Sequence, residues 1–177
     1  LFTLHPETIT KKHRKYLLNF IKFLKENRDY YTIFTSSNSD TDYKYINNTI
    51  QKYVKKNKHY SKYISNLGTY DYKSMINAID CVVGNSSSGL IEVPSFKKPT
   101  INIGERQNGR ILAKSIININ GDYSSLKKAI RKGFSKNFKN KLKNIQNPYF
   151  KKNSSAIINN ILKNYTFNKN LKKFYDL

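Results

Sequence analysis

Several things are scarce in this chain. Its 177 residues include one cysteine, one methionine, no tryptophan, 4 prolines and 7 glycines. A single thiol, Cys81, leaves no internal disulfide framework and no multi-cysteine zinc or iron–sulfur site. No apolar run approaches the ~20 residues of a membrane-spanning helix, so no membrane partner is expected. Carboxylates are few as well: 11 Asp and Glu stand against 33 Lys and Arg, a formal net charge of +22. Those 11 offer no obvious catalytic pair, since Glu92 and Glu105 fall in different loops. The three histidines have no partners at ligand spacing, so no metal is indicated, and no cofactor motif is found. His13 and His59 read as surface residues, and Cys81 as a small apolar residue of a buried strand.

Bulk is present in quantity. Hydrophobic residues make up 38% and aromatics 14%, with 14 Tyr and 10 Phe, too much for a disordered polybasic tail. The charge raises a nucleic-acid reading, because basic patches gain affinity by releasing counterions from phosphate backbones. Its placement argues otherwise. Between Tyr123 and Tyr175 there are 14 Lys and Arg and no acid, whereas Gly84 to Arg110 holds four basic residues against two acidic ones. The excess sits on helices and the C-terminal periphery, as a compositional bias towards Lys, Asn, Ile and Tyr would leave it. No nucleic-acid partner is expected, and a basic nucleic-acid-binding module stays as the lesser alternative.

Apolar periodicity alternates between two periods. Leu1 to Leu4, Tyr31 to Thr35, Tyr60 to Ser65, Cys81 to Val83, Thr100 to Ile103 and Ser115 to Ile119 read as strands. Between them, Leu17, Phe20, Ile21 and Leu24 mark a helix capped near Thr8 or Thr10, and Tyr43, Ile46, Ile50 and Tyr53 a second from Asp40 or Asp42. A short helix is expected near Tyr72 to Ile79, another before Pro94, one from Asp122, and a last one through Ala156, Ile157, Ile161 and Leu162. The pattern predicts an α/β domain, a Rossmann-like parallel sheet with helices on both faces. Its ligand crevice should lie beyond the carboxyl ends of the strands, at the loops after Leu4, Thr35, Val83 and Ile103. Because the chain opens on an apolar strand without Met, it is expected to be part of a longer protein.

Three stretches at those loops could carry chemistry. Gly84-Asn85-Ser86-Ser87-Ser88-Gly89 follows a buried strand and opens a helix, a layout that aims backbone N–H groups and three hydroxyls at an anion. It has the glycine spacing of a Walker A loop, but Leu90-Ile91 stands where Lys-Ser/Thr must follow, which excludes a P-loop NTPase. An ordinary Ser/Gly turn stays open beside the phosphate reading. Glu92 completes no capping box with a hydroxyl. Its carboxylate suits a ribose diol, or simply the first turn of a helix. Asn102 to Arg110 places Arg106 and Arg110 in a Gly-containing loop, able to grip phosphate or to stay solvated. His5, at a strand end and fixed by Pro6, could donate to phosphate or move a proton.

Together, His5-Pro6-Glu7-Thr8, Gly84 to Phe96 and Pro99 to Arg110 closely resemble the C-terminal domain of UDP-N-acetylglucosamine 2-epimerases. The Gly-x-Arg-Gln-x-Gly-Arg form is similar to the hydrolysing branch, which makes N-acetylmannosamine and UDP for sialic-acid-type sugars. The resemblance implies the C-terminal half of a GT-B-like two-domain fold, with a nucleotide-binding domain over residues 1–163 and a Lys/Asn-rich tail over 164–177. It implies UDP and UDP-N-acetylglucosamine as ligands, held by Gly84, Asn85, Ser86, Ser87, Glu92 and Arg106, with His5 and Arg106 acting in catalysis. The reaction implied eliminates UDP to a 2-acetamidoglucal and adds water. Its carboxylates come mostly from a missing N-terminal domain, which is a partner of this one in the same enzyme. A cytoplasmic homodimer is implied as well. A GT-B glycosyltransferase donor domain is the nearest alternative. One departure stands out: the family often has Asn-Pro-Tyr-Gly-Asp-Gly, and here Asn147-Pro148-Tyr149 runs into Phe150-Lys151-Lys152.

Overall fold

In a computed structural model that describes residues 1–166, each expected strand forms within a residue or two of its apolar run. They are β1 (Phe2–Thr3), β2 (Thr32–Thr35), β3 (Ser61–Ile64), β4 (Val82–Gly84), β5 (Thr100–Ile103) and β6 (Ile116–Ile119). All pair in parallel, in the order β3-β2-β1-β4-β5-β6. Parallel neighbours need crossovers, which helices supply except between β5 and β6, joined by the helix-free stretch 104–115. They are α1 (His13–Glu26), α2 (Tyr43–Lys56), α3 (Gly68–Ala78), the single turn α4 (Ser88–Ile91), α5 (Tyr123–Phe134), α6 (Lys136–Leu142) and α7 (Ser154–Asn164). A 3-10 turn, Val93–Phe96, follows α4.

Strand side chains alternate between faces, so adjacent residues serve different layers. Phe2, Val83 and Ile101 join Leu17, Phe20, Ile46, Ile50, Leu126 and Ile130 in the larger core, under α1, α2 and α5. Leu1 and Val82 turn the other way and pack with Ile76 of α3 and Val93. Phe2 stacks on Phe20 with ring centroids 4.2 Å apart, and Phe34 meets Phe2 edge-on at 5.5 Å. Such pairs add about 0.5–1.5 kcal/mol beyond their buried area.

Some expectations do not hold. His13 is buried rather than on the surface. Its Nδ1 accepts the Glu7 N–H at 3.1 Å, and Nε2 lies 3.0 Å from Asp42 Oδ2. Neither Thr8 nor Thr10 caps α1: the helix starts after Lys12, and the Thr10 hydroxyl donates to the Glu7 carboxylate instead. Asp42 does precede α2, but its carboxylate is held by Arg14 at 2.6 and 2.7 Å and caps nothing. Asp122 behaves as expected, accepting the Ser125 N–H at 2.8 Å. The last helix forms, yet it buries no residue. All but the first three residues of the expected 164–177 tail lie outside the described residues. No helix among the described residues is long and apolar enough to cross a membrane.

Candidate functional site

The strand order reverses between β1 and β4, and a doubly wound sheet opens its crevice beyond the carboxyl ends of such a pair. Gly84 makes the approach there possible. It adopts φ +139°, and a Cβ at this position would lie 1.8 Å from the Thr3 carbonyl oxygen. Only glycine lets the two backbones come this close.

Asn85 follows, with no exposed surface. Its side chain forms a reciprocal pair with the backbone of His5: Oδ1 accepts the His5 N–H at 2.7 Å, and Nδ2 donates to the His5 carbonyl at 2.9 Å. Its own N–H donates to the Thr3 carbonyl at 3.2 Å. Its carbonyl accepts twice, from Arg106 Nη1 at 3.2 Å and from Gln107 Nε2 at 2.8 Å. One residue therefore ties together the ends of β1, β4 and β5. Its amide is spent on the protein, so Asn85 aligns neighbours instead of offering a side chain to a ligand.

His5 is held from a third side, where Nδ1 accepts the Asn38 N–H at 3.1 Å. Burial first, and the nearby Arg106 charge second, push its pKa down to about 4. The ring is neutral at pH 7, and with Nδ1 accepting, its proton sits on Nε2. His5 thus presents an N–H donor, not an imidazolium. Glu7, also buried, receives the Glu105 N–H on Oε1 at 3.2 Å and the Thr10 hydroxyl on the other oxygen. A Cβ on Gly104 would sit 2.4 Å from that Oε1, at φ +78°, so this loop too requires its glycine. Glu7 thereby anchors the turn that carries Arg106.

On the β4 side the polar groups are less committed. The backbone bonding of the serine loop begins only at Gly89, whose N–H donates to the Ser86 carbonyl at 3.2 Å. Ser86 and Ser88 hydroxyls lie 3.3 Å apart, and the Tyr72 hydroxyl from α3 bonds Ser88. Burial raises the pKa of that phenol, so it stays protonated. Thr3, His5, Thr35, Asn66, Tyr72 and Ser86 line a cavity of about 250 Å³ in front of this loop. A second cavity of about 530 Å³ opens between the β1 and β5 loops, with Glu7, Thr8, Asp40, Glu105 and Arg106 in its wall.

The sequence profile described as UDP-N-acetylglucosamine 2-epimerase matches residues 1–163. The chain belongs to that family. It is 36% identical to the polysialic acid biosynthesis protein P7 of Escherichia coli, over 98% of this chain and 45% of that protein. It is 41% identical to the GDP/UDP-N,N'-diacetylbacillosamine 2-epimerase (hydrolyzing) of Campylobacter jejuni, over 78% of this chain and 36% of that protein. Among solved structures, the S. aureus MnaA–UDP complex superposes with a TM-score of 0.69 at 18% identity. The Neisseria meningitidis UDP-GlcNAc 2-epimerase bound to UDP-GlcNAc gives 0.65 at 15%. Each alignment covers 92% of this chain and 44% of the solved one, a likeness of fold. The chain spans less than half the length of the curated relatives it matches.

Within this member of the family, then, His5 and Ser86 share the smaller cavity and Arg106 faces the larger one, its charge reaching the His5 ring. Gly84 and Asn85 lie behind them, buried. Ser87 and Glu92 are half-buried on the turn of α4, outside both linings. Sequence reading overlooked four positions: Glu7, Asn38, Tyr72 and Gln107. Glu7 and Gln107 stand inside the recognised motifs and could have been singled out there. Asn38 acts through its backbone N–H and Tyr72 reaches the serines from a helix 16 residues earlier, so neither leaves a local signal.

Proposed function

We propose that this chain is the nucleotide-binding, C-terminal half of a hydrolysing UDP-N-acetylglucosamine 2-epimerase, with residues 1–163 as the domain. The observation that carries the reading is the convergence on Asn85. It sets a neutral His5 N–H and the Arg106 guanidinium beside a hydroxyl-rich loop at the switch point of the sheet. That arrangement suits a diphosphate leaving group. As the C1–O bond breaks, negative charge builds on the β-phosphate oxygens, where Arg106 and His5 Nε2–H donate. Ser86, Ser87 and the opening of α4 hold the remaining oxygens. Glu92 accepts the two ribose hydroxyls.

A base on the other half of the enzyme removes the C2 proton while UDP departs from C1, leaving a 2-acetamidoglucal. Water then adds across the double bond, giving N-acetylmannosamine and free UDP. The names of the relatives support a second substrate, a UDP-linked diacetamido sugar, acted on by the same chemistry.

The test is to incubate the full-length protein that carries this chain with UDP-N-acetylglucosamine alone, and separately with a UDP-diacetamido sugar. Free 2-epimerised sugar and UDP in equal amounts are expected from one of them. Turnover only when an acceptor is added identifies a glycosyltransferase instead. No UDP binding, together with tight salt-dependent binding of DNA or RNA, identifies a nucleic-acid-binding module.

A further inference from the structure

The Asn147-Pro148-Tyr149 stretch, which departs from the family pattern after its third residue, touches the site at one place. Pro94 has no N–H, so α4 cannot continue as an α-helix through it. The chain tightens instead: Ser95 N–H donates to the Glu92 carbonyl at 3.0 Å, and Lys97 N–H to the Pro94 carbonyl at 3.0 Å. In an unbroken helix Ser95 N–H would have served Ile91, four residues back. The Ile91 carbonyl is left without its helical partner, and it is the carbonyl of the peptide group that leads into Glu92.

Asn147 supplies the missing donor from 56 residues away. Its Nδ2 donates to the Ile91 carbonyl at 2.8 Å and to Ser95 Oγ at 2.6 Å. Its Oδ1 accepts the Tyr149 N–H at 3.0 Å, and its carbonyl accepts the Phe150 N–H at 3.1 Å. Both ends of the side-chain amide are thus committed. At its other end the Ile91–Glu92 peptide is fixed by Glu92 N–H, which donates to the Ser88 carbonyl at 2.9 Å. This peptide plane is clamped on both sides, on one by the serine loop and on the other by Asn147.

We propose that Asn147 is a positioning residue for Glu92, holding the α4 break in the geometry that aims its carboxylate at the ribose of the bound nucleotide. This rests on the reading of Glu92 given under Proposed function. The stretch acts through one amide donor rather than through the Gly-Asp-Gly that this chain lacks.

The experiment measures UDP and inorganic pyrophosphate affinity by calorimetry in the full-length protein, for Asn147→Asp, Asn147→Ala, Glu92→Ala and the double variant Asn147→Ala/Glu92→Ala. Asp keeps the acceptor that closes the Tyr149 turn and replaces the donor with a carboxylate oxygen facing the Ile91 carbonyl, while Ala removes the donor without adding charge. Loss of one such bond corresponds to roughly a three- to ten-fold change in UDP affinity. That change is expected in both single Asn147 variants, with pyrophosphate affinity unmoved. In the Glu92→Ala background the Asn147 substitution should add less than about two-fold, because the group it positions is gone. Wild-type UDP affinity in Asn147→Asp would overturn the proposal, and so would an undiminished loss in the double variant. Should Asp prevent folding, the Ala pair gives the same reading. A wild-type protein that binds no UDP removes the functional reading itself. A wild type that binds UDP, with indifferent Asn147 variants, removes only the clamp.

Discussion

On the β1–β5 side of the crevice, His5, Glu7 and Gln107, joined by the buried Asn85 at the end of β4, give polar atoms to other parts of the protein. On the β4–α4 side, Ser86, Ser87 and Glu92 carry hydroxyls and a carboxylate at half-buried positions with few protein partners. The difference separates aligning groups from groups held ready. A braced side chain contributes to folding and to function together, whereas an uncommitted one is expected to matter to function alone. Substitutions on the two sides should therefore leave different signatures, and the comparison can be broken by measuring stability and turnover in parallel in the full-length protein.

Gly84→Ala should have the largest effect, since a methyl 1.8 Å from the Thr3 carbonyl cannot be accommodated without parting β1 from β4. A loss of about 5 kcal/mol or more is expected, seen as insoluble or unfolded protein. Normal urea unfolding of this variant would show that the strands do not meet as described. Asn85→Ala comes next. It orphans the His5 N–H and carbonyl, at about 1–3 kcal/mol each, so both stability and turnover should fall. A variant that loses turnover while keeping its unfolding midpoint would move Asn85 to the uncommitted side.

The third effect is smaller and depends on pH. The folded-state pKa of His5 is about 4 against 6.5 for the free group. As pH falls below 6.5 the unfolded chain takes up a proton that the folded one refuses until about 4. Stability from this group is therefore complete above pH 6.5, falls by at most about 3 kcal/mol between 6.5 and 4, and is level below. Urea titrations at several pH values, compared with His5→Gln, should show this slope in the wild type and its absence in the variant. Equal slopes would mean that His5 is more solvated than the geometry gives.

Much of this surface was legible in the residues. Short stretches rich in apolar residues marked the strands, and β1, β4 and β5 are buried throughout, as central parallel strands are. The two loop motifs follow β4 and β5, at the carboxyl ends of strands, where a parallel sheet opens its crevice. What stayed hidden depends on distance along the chain. His13 looked solvated because its partner Asp42 lies 29 residues away, and the pairing of the Asn85 side chain with the His5 backbone spans 80 residues and leaves no local signal. The helix α6 has little apolar period, burying only Leu142, so pattern alone could not find it. The reverse holds for α7: its period was plain, but periodicity says which face favours burial and not what covers it, and among the described residues α7 buries none.

The smallest change in stability should accompany a large change in turnover, and this pair tests the comparison most sharply. Glu92 makes no side-chain hydrogen bond among the described residues, so Glu92→Ala should move the unfolding free energy by no more than about 0.5 kcal/mol. Arg106→Ala gives up one bond to the Asn85 carbonyl, which still keeps Gln107 Nε2 at 2.8 Å, so its structural cost is small as well. For turnover, losing the ribose contacts should lower kcat/KM roughly 10- to 100-fold. Removing the charge beside the leaving group should lower it by about 100-fold or more. Steady-state kinetics beside urea unfolding would show both variants folded and impaired. Wild-type turnover in either one would place its side chain outside the working surface. Equal losses of stability and turnover would instead join these residues to the braced set, and the division between the two sides of the crevice would fail.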